Sequence, residues 1–159
     1  MAYPSSSYDA IIAAPFGRLG IRIENDRLID VDLLSGSAPL RAPSDRFARA
    51  ICRELKRYLA DPKHPLDLPL TLNGTEHQQR VWRALQRIPA GEVRSYGELA
   101  RRLKSSARAV GGACRSNPIA IVVPCHRVVS TTGLGGFMGK RAGAALGIKR
   151  WLLEHEQRR

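Results

Sequence analysis

Cys125 and His126 are the adjacent pair in this 159-residue chain whose side chains could together run nucleophilic chemistry. A thiolate attacks where a thiol does not, and an unassisted cysteine is mostly protonated at neutral pH. A neighbouring imidazole is a common means of removing that proton. The residues before the pair, Ile119-Ala120-Ile121-Val122-Val123, form an apolar, β-branched run that reads as a buried strand. Pro124 stops it, since proline fixes its own φ and has no N–H to donate. A rigid strand delivering a thiol onto a tight turn beside an imidazole is the arrangement of an activated nucleophile. The same dipeptide also fits a buried structural cysteine next to a histidine, so the rest of the chain must discriminate.

The charge distribution does part of that work. Up to Gly74 the chain has ten Lys/Arg against nine Asp/Glu, and from Thr75 onward sixteen against five. Nearly all of the net +12 therefore belongs to the half carrying Cys125. A one-sided excess of this kind points to a polyanion, most often nucleic acid. The four histidines are scattered without metal-ligand spacing, and no C-x-x-C pair suggests zinc, so no metal and no cofactor is expected. Cys52, Cys114 and Cys125 make no disulfide framework, and their odd number fits one reactive thiol and two inert ones. No apolar run reaches membrane-spanning length and MAYPSSSYDA lacks a secretory layout, so a cytoplasmic protein with no membrane partner is expected.

The elements that must position the pair follow in chain order. Ala10–Ala14, Leu19–Ile23 and Leu28–Leu34 read as short strands of an antiparallel meander. Ser44 or Asp45 can cap a helix with Phe47, Ile51, Leu55 and Tyr58/Leu59 on its apolar face, and Cys52 packs inside it. The proline-rich stretch Asp61 to Gly74 reads as a linker, dividing the chain into an N-terminal α/β domain with linker at 1–74 and a basic domain at 75–159. Thr75 and Gln78 form a capping box for a helix over Glu76–Arg87. Ser95 can cap Tyr96–Leu103, and a second short helix spans about Ala107 to Arg115; in a basic domain the pair reads as a helix-turn-helix.

That second helix is built of small residues and contains Gly111 and Gly112, which weaken it. Giving up helix propensity for smallness lets another backbone come close, either a DNA groove or the Cys125 segment itself. Arg108 is the long cation in the run, able to contact phosphate or fill the gap left by a lifted base. Ser130 to Gly147 is a glycine-rich loop without dinucleotide or P-loop spacing and reads as a pocket wall, with a turn over Arg141–Leu146. A helix over Ile148–Glu156, with Trp151, Leu152 and His155 on its less polar side, ends the pattern.

Pro124-Cys125-His126-Arg127-Val128 resembles the signature of the O6-alkylguanine-DNA alkyltransferases, the methylated-DNA–protein-cysteine S-methyltransferases. The resemblance extends over the basic half, through Gln79-Arg80-Val81-Trp82, Gly91-Glu92-Val93-Arg94-Ser95-Tyr96, Arg108-Ala109-Val110-Gly111, Asn117-Pro118 and Trp151-Leu152-Leu153-Glu154-His155-Glu156. It implies an α+β fold: a small N-terminal antiparallel sheet with a helix, ribonuclease H-like, and a mostly helical C-terminal domain with a helix-turn-helix of winged-helix type. It implies direct-reversal DNA repair, in which Cys125 irreversibly takes the alkyl group from O6-alkylguanine in double-stranded DNA in a single turnover, with O4-alkylthymine as a second candidate substrate. A monomer is expected, with clustering on DNA open.

The roles it implies are specific. His126 activates Cys125 through a water, Glu156 orients the imidazole, and Asn117 braces the turn. Tyr96, the Val128 carbonyl, Phe137 and Met138 face the base. Arg108 replaces the flipped nucleotide, which must leave the stack because O6 lies inside the duplex. Ser95, Ala109, Gly111, Arg115 and Arg127 join it at the DNA surface. The chain departs from the family at Phe137-Met138-Gly139, where many members have Tyr-Ser-Gly or Tyr-Gly-Gly; a serine hydroxyl for O6 is missing, and the Met138 N–H can serve instead. A non-catalytic alkyl-lesion recognition protein is the alternative, opposed by the presence of Cys125. A Cys/His hydrolase unrelated to DNA is opposed by the basic half.

Overall fold

The computed structural model describes residues 4–138 and 144–158. The chain forms two compact units, Met1–Leu72 with Pro118–Val122, and Asn73–Asn117 with Val123–Arg159. It is a mixed α/β protein with a small antiparallel sheet and five α-helices among the described residues.

The first unit is a meander of β1 (Ala10–Ala14), β2 (Gly17–Glu24) and β3 (Arg27–Leu34). Ala10 pairs with Ile21 and Ile21 with Val31, so alternate residues of the three strands bury one face. The β2–β3 connection is the two-residue turn Asn25-Asp26, with both φ angles positive at 53° and 60°. Such turns match the strand twist, and Asn and Asp tolerate the left-handed region. Helix α1 (Arg46–Ala60) covers the sheet with Ala48, Ile51, Cys52, Leu55 and Tyr58. Asp45 is its cap, accepting from the Ala48 N–H at 2.9 Å. Phe47, expected on the apolar face, is 38% exposed, because the buried stripe starts one residue later, at Ala48.

Two segments differ from the sequence reading. The proline-rich stretch is not a free tether: Leu28 N–H donates to the Pro69 carbonyl at 2.9 Å and Thr71 N–H to the Leu28 carbonyl at 2.9 Å, which fastens it to β3. The run at 119–123 is buried but is not a strand. Ile119 makes an isolated parallel bridge to Val31, after which Val122 N–H turns back onto the Ala120 carbonyl at 2.8 Å, with Ile121 between them at φ +73°. A β-branched residue rarely adopts that conformation. Apolar burial is satisfied either way, and the need to reverse the backbone before Cys125 overrides strand propensity.

In the second unit, α2 (Glu76–Gln86) starts with the full reciprocal capping box, Thr75 Oγ1 accepting from Gln78 N–H at 3.1 Å and Gln78 Oε1 from Thr75 N–H at 2.9 Å. Helices α3 (Tyr96–Leu103) and α4 (Ala107–Arg115) pack on each other, joined by a turn in which Lys104 is left-handed. Trp82 ties α2 to α4 by donating Nε1–H to the Ala113 carbonyl at 2.8 Å. The short strands β4 (Arg94–Ser95) and β5 (Val128–Val129) pair in parallel. Helix α5 (Ala144–Glu156) begins four residues earlier than its pattern suggests. It buries Lys149, Leu152, His155 and Glu156; Trp151 is half-buried and stacked on His155 at 4.6 Å. Gly139 and the front of the turn read over Arg141–Leu146 lie outside the described residues. Among the described residues no helix is long and apolar enough to cross a membrane, and no group of His, Cys, Asp and Glu is arranged to hold a metal ion.

Candidate active site

The second unit contains a cavity of about 940 Å³ whose wall includes Tyr96, Arg108, Cys114, Cys125, Phe137 and Met138. Cys125 reaches it from a single 3₁₀ turn, Cys125–Arg127, entered through a second tight reversal in which the Cys125 N–H donates to the Val123 carbonyl at 2.8 Å. Pro124, at φ −82° and ψ 66°, is the centre of that reversal. Asn117 braces the turn by donating Nδ2–H to the Val123 carbonyl at 2.8 Å, and its side chain also hydrogen-bonds Cys125. A buried thiol at rest is the outcome: desolvation raises the Cys125 pKa, while the Asn117 hydrogen bond and the charge of Lys149 act in the opposite direction.

His126 follows directly and is wholly buried. Burial lowers its pKa, so the imidazole is neutral at pH 7. Its Nε2 is 3.0 Å from Glu156 Oε2. Burial alone would raise Glu156, but hydrogen bonds from His126 and Arg127 and the charge of Arg127 outweigh it and hold the carboxyl far below its ordinary range. An ionised carboxylate only accepts, so the neutral ring carries its proton on Nε2 and keeps a lone pair on Nδ1. Nδ1 is buried and has no hydrogen-bond partner within the protein. A base with a fixed tautomer therefore stands next in sequence to the thiol, without a direct thiol–imidazole hydrogen bond.

Other site candidates fall into three groups. Tyr96, Arg108, Gly111, Arg115, Phe137 and Met138 line the cavity with Cys125. Ala109 lies exposed on α4 outside that lining. The rest are held inside the protein. Val128 is buried in β5, and its carbonyl accepts from Lys149 Nζ at 2.7 Å. Ser95, expected at the DNA surface, is buried, with its Oγ capping α3 by accepting from Glu98 N–H at 3.1 Å. Arg127, also expected there, is turned inward: Nε and Nη2 donate to the two Glu156 oxygens at 2.9 and 2.7 Å. Its side chain is 12% exposed, so a phosphate contact would require breaking a buried bidentate pair.

Sequence reading missed Lys149. It is fully buried, and Nζ donates to three carbonyls, Val128 at 2.7 Å, Leu134 at 2.5 Å and Gly136 at 2.8 Å, while lying 5.9 Å from the centre of the Tyr96 ring. One ammonium thus ties α5, β5 and the glycine-rich loop together. Burial lowers its pKa to about 8. The signal was a lysine at helical spacing from Leu152 and Glu156, on the face that should be apolar. Gly135 allows that loop its course: its φ is +73°, and a Cβ there would sit 3.0 Å from the Tyr96 ring. Cys114 is also in the cavity wall, but burial, with Cys125 nearby, pushes its pKa up to about 12; burial takes Cys52 to about 11. Neither of these two has an imidazole beside it in sequence to take its proton.

The glycines of α4 have a further property. A Cβ built on Gly111 or Gly112 meets nothing within 4 Å, so no neighbouring segment of the protein requires their smallness.

A family model described as 6-O-methylguanine DNA methyltransferase, DNA binding domain, matches residues 76–158. A methylated-DNA–protein-cysteine methyltransferase of Methanosarcina acetivorans is 39% identical over 158 residues, covering 94% of this chain and 97% of the relative. One from Mycolicibacterium paratuberculosis is 50% identical over 115 residues, 70% of this chain and 66% of the relative. Among solved structures, the Mycobacterium tuberculosis O6-methylguanine methyltransferase superposes with a TM-score of 0.78 at 38% identity, covering 92% of this chain and 90% of that one. The same organism's OGT in complex with DNA gives 0.76 at 40% identity, covering 92% and 91%. On both the matched domain and the near full-length likeness, the chain belongs to the methylated-DNA–protein-cysteine methyltransferase family.

Proposed function

We propose that this chain repairs alkylated DNA by direct reversal, with Cys125 as the single-use acceptor. The thiolate sulfur attacks the alkyl carbon on O6 of guanine, the S–C bond forms as the C–O6 bond breaks, and the electron pair leaves with the base, which regains its carbonyl on protonation. The thioether left on Cys125 has no route back to a thiol, so each molecule acts once. The observation that carries this reading is the ordered set Cys125, His126 and Glu156, with the nucleophile opening onto a cavity that Arg108 and Tyr96 also line.

His126 takes the thiol proton through a water at Nδ1, and Glu156 offsets the charge that the imidazole gains. Tyr96 and the second lone pair of the Val128 carbonyl receive the base edge, and the Met138 N–H replaces the missing serine hydroxyl at O6. The partner is double-stranded DNA, and Arg108 takes the place of the extruded nucleotide. A monomer is enough for this chemistry, since the nucleophile, base and cavity all lie in one unit; clustering on DNA and O4-alkylthymine as a second substrate are family expectations. The meander with α1 supports a ribonuclease H-like reading of the first unit. The α3–α4 pair with the short β4–β5 ladder supports a winged-helix reading of the second.

The test is intact-protein and peptide mass spectrometry after incubation with a duplex containing O6-methylguanine. One methyl on the Cys125 peptide, absent in Cys125→Ser while that variant still binds duplex, is expected. Binding without any transfer would instead indicate the non-catalytic recognition protein.

A further inference from the structure

We propose that the exposed face of α1 is a second phosphate-binding surface, one that holds the backbone of duplex DNA on the first unit. It goes beyond the alkyl-transfer reading and rests only on DNA being the protein's partner. Helix α1 carries Arg46, Arg49, Arg53, Lys56 and Arg57 against a single acid, Glu54. All five cations are exposed. At 100° per residue they fall within about one quarter of the helix circumference, opposite Ala48, Ile51, Cys52, Leu55 and Tyr58. Ala60 also lies on that arc and Ala50 just beside it, both too short to hold a partner away. Glu54 stands at its edge and pairs with His64, reaching Arg57 only at 4.0 Å. Among the described residues Arg46, Arg49, Arg53 and Lys56 make no ion pair.

This arrangement works against the helix itself. Arg46–Arg49, Arg49–Arg53, Arg53–Lys56 and Arg53–Arg57 are like charges at i,i+3 or i,i+4, each destabilising. The only acid at the helix start is the Asp45 cap; the first turn itself has none and opens on Arg46, where the dipole disfavours a cation. A face kept only for solubility would mix signs, as the first 34 residues do with three cations and five anions. From Arg46 to Arg57 the stripe is about 16 Å long. Along the duplex axis that length carries about five phosphates per strand, one per 3.4 Å. A regular row of long cations on a smooth, alanine-spaced face suits the evenly spaced charges of a duplex.

The test is fluorescence-anisotropy titration of a labelled undamaged duplex with the whole protein at several salt concentrations between 50 and 200 mM. In the variant R46Q/R49Q/R53Q/K56Q the slope of log K against log salt should become shallower by about 3.6, at roughly 0.9 for each of four phosphates no longer neutralised, and affinity at 50 mM salt should fall at least tenfold. Transfer from free O6-benzylguanine should be unchanged, which shows the variant folded. An unchanged slope and affinity would overturn the proposal and leave the face to solvent or an acidic protein. If the fourfold variant misfolds, the single charge reversal Arg53→Glu decides: at least fivefold weaker duplex binding supports the surface, and no weakening overturns it. Because the duplex is undamaged, a protein that never methylates Cys125 would still give a readable slope, so the two readings fail separately.

Discussion

Arg127 grips Glu156 with two nitrogens, Nε on Oε1 at 2.9 Å and Nη2 on Oε2 at 2.7 Å, and places its remaining nitrogen, Nη1, 2.5 Å from the Ile88 carbonyl. Together with the His126 hydrogen bond, this keeps a buried carboxylate ionised where burial would otherwise protonate it, and an ionised Glu156 is what fixes the His126 tautomer. Arg127→Ala should therefore damage both stability and chemistry: about 3 to 5 kcal/mol lost in urea denaturation, the cost of stranding a buried charge. Single-turnover transfer should slow as well. Arg127→Lys keeps the charge but not the fork, so it should recover part of the stability and less of the rate.

Lys149 gives a prediction with a pH signature. Lys149→Met keeps length and apolar volume but leaves the carbonyls of Val128, Leu134 and Gly136 without their donor, a loss of about 1 to 3 kcal/mol. Its folded pKa, about 8, lies below its ordinary value of 10.5, so the unfolded chain binds the extra proton between those values. Stability of the unaltered protein should therefore rise with pH from about 8 to about 10.5, through the linkage of proton binding to folding. The rise attributable to this lysine should vanish in Lys149→Met, which urea titrations of both proteins across that range would show. Transfer from duplex should also slow in the variant, because the glycine-rich wall of the cavity loses its tie.

Local patterns carried much of this architecture. The helices α2 and α3 could be placed from capping residues and turn breakers alone, because Thr75 and Ser95 satisfy N–H groups that no helix can satisfy internally. The run at 119–123 misled because apolar β-branched composition reports burial, whereas the positive φ of Ile121 is imposed by tertiary demands that periodicity does not encode. Arg127 misled for a related reason. Its charge was visible, but the carboxylate that captures it lies 29 residues later, and only the fold brings them together. Lys149 was the opposite case, a misplaced charge on an apolar helical face, readable in principle as a buried cation awaiting acceptors.

Arg108 is exposed on α4 and lines the Cys125 cavity, in contrast to the buried Arg127. A side chain that fills the stack after a nucleotide is lifted out matters only when there is a stack to fill. Arg108→Ala should therefore slow transfer from duplex O6-methylguanine by at least tenfold while changing the reaction with free O6-benzylguanine by less than threefold. Paired single-turnover assays on the two substrates measure this directly, and an equal loss on both would remove the flipping role.

Gly111 sharpens the question of why α4 is so poor a helix former. Glycine in a helix interior costs roughly 1 kcal/mol relative to alanine. A Cβ added at Gly111 meets no atom of the protein within 4 Å, so Gly111→Ala carries no internal clash. Folding stability should accordingly increase, by about 0.5 to 1 kcal/mol in urea denaturation. If the space is kept for an approaching DNA backbone, the same methyl group should weaken duplex binding several-fold, and transfer from free O6-benzylguanine should be little affected. A more stable protein that bound duplex as well as before would show that α4 gives up helix propensity for some reason other than DNA.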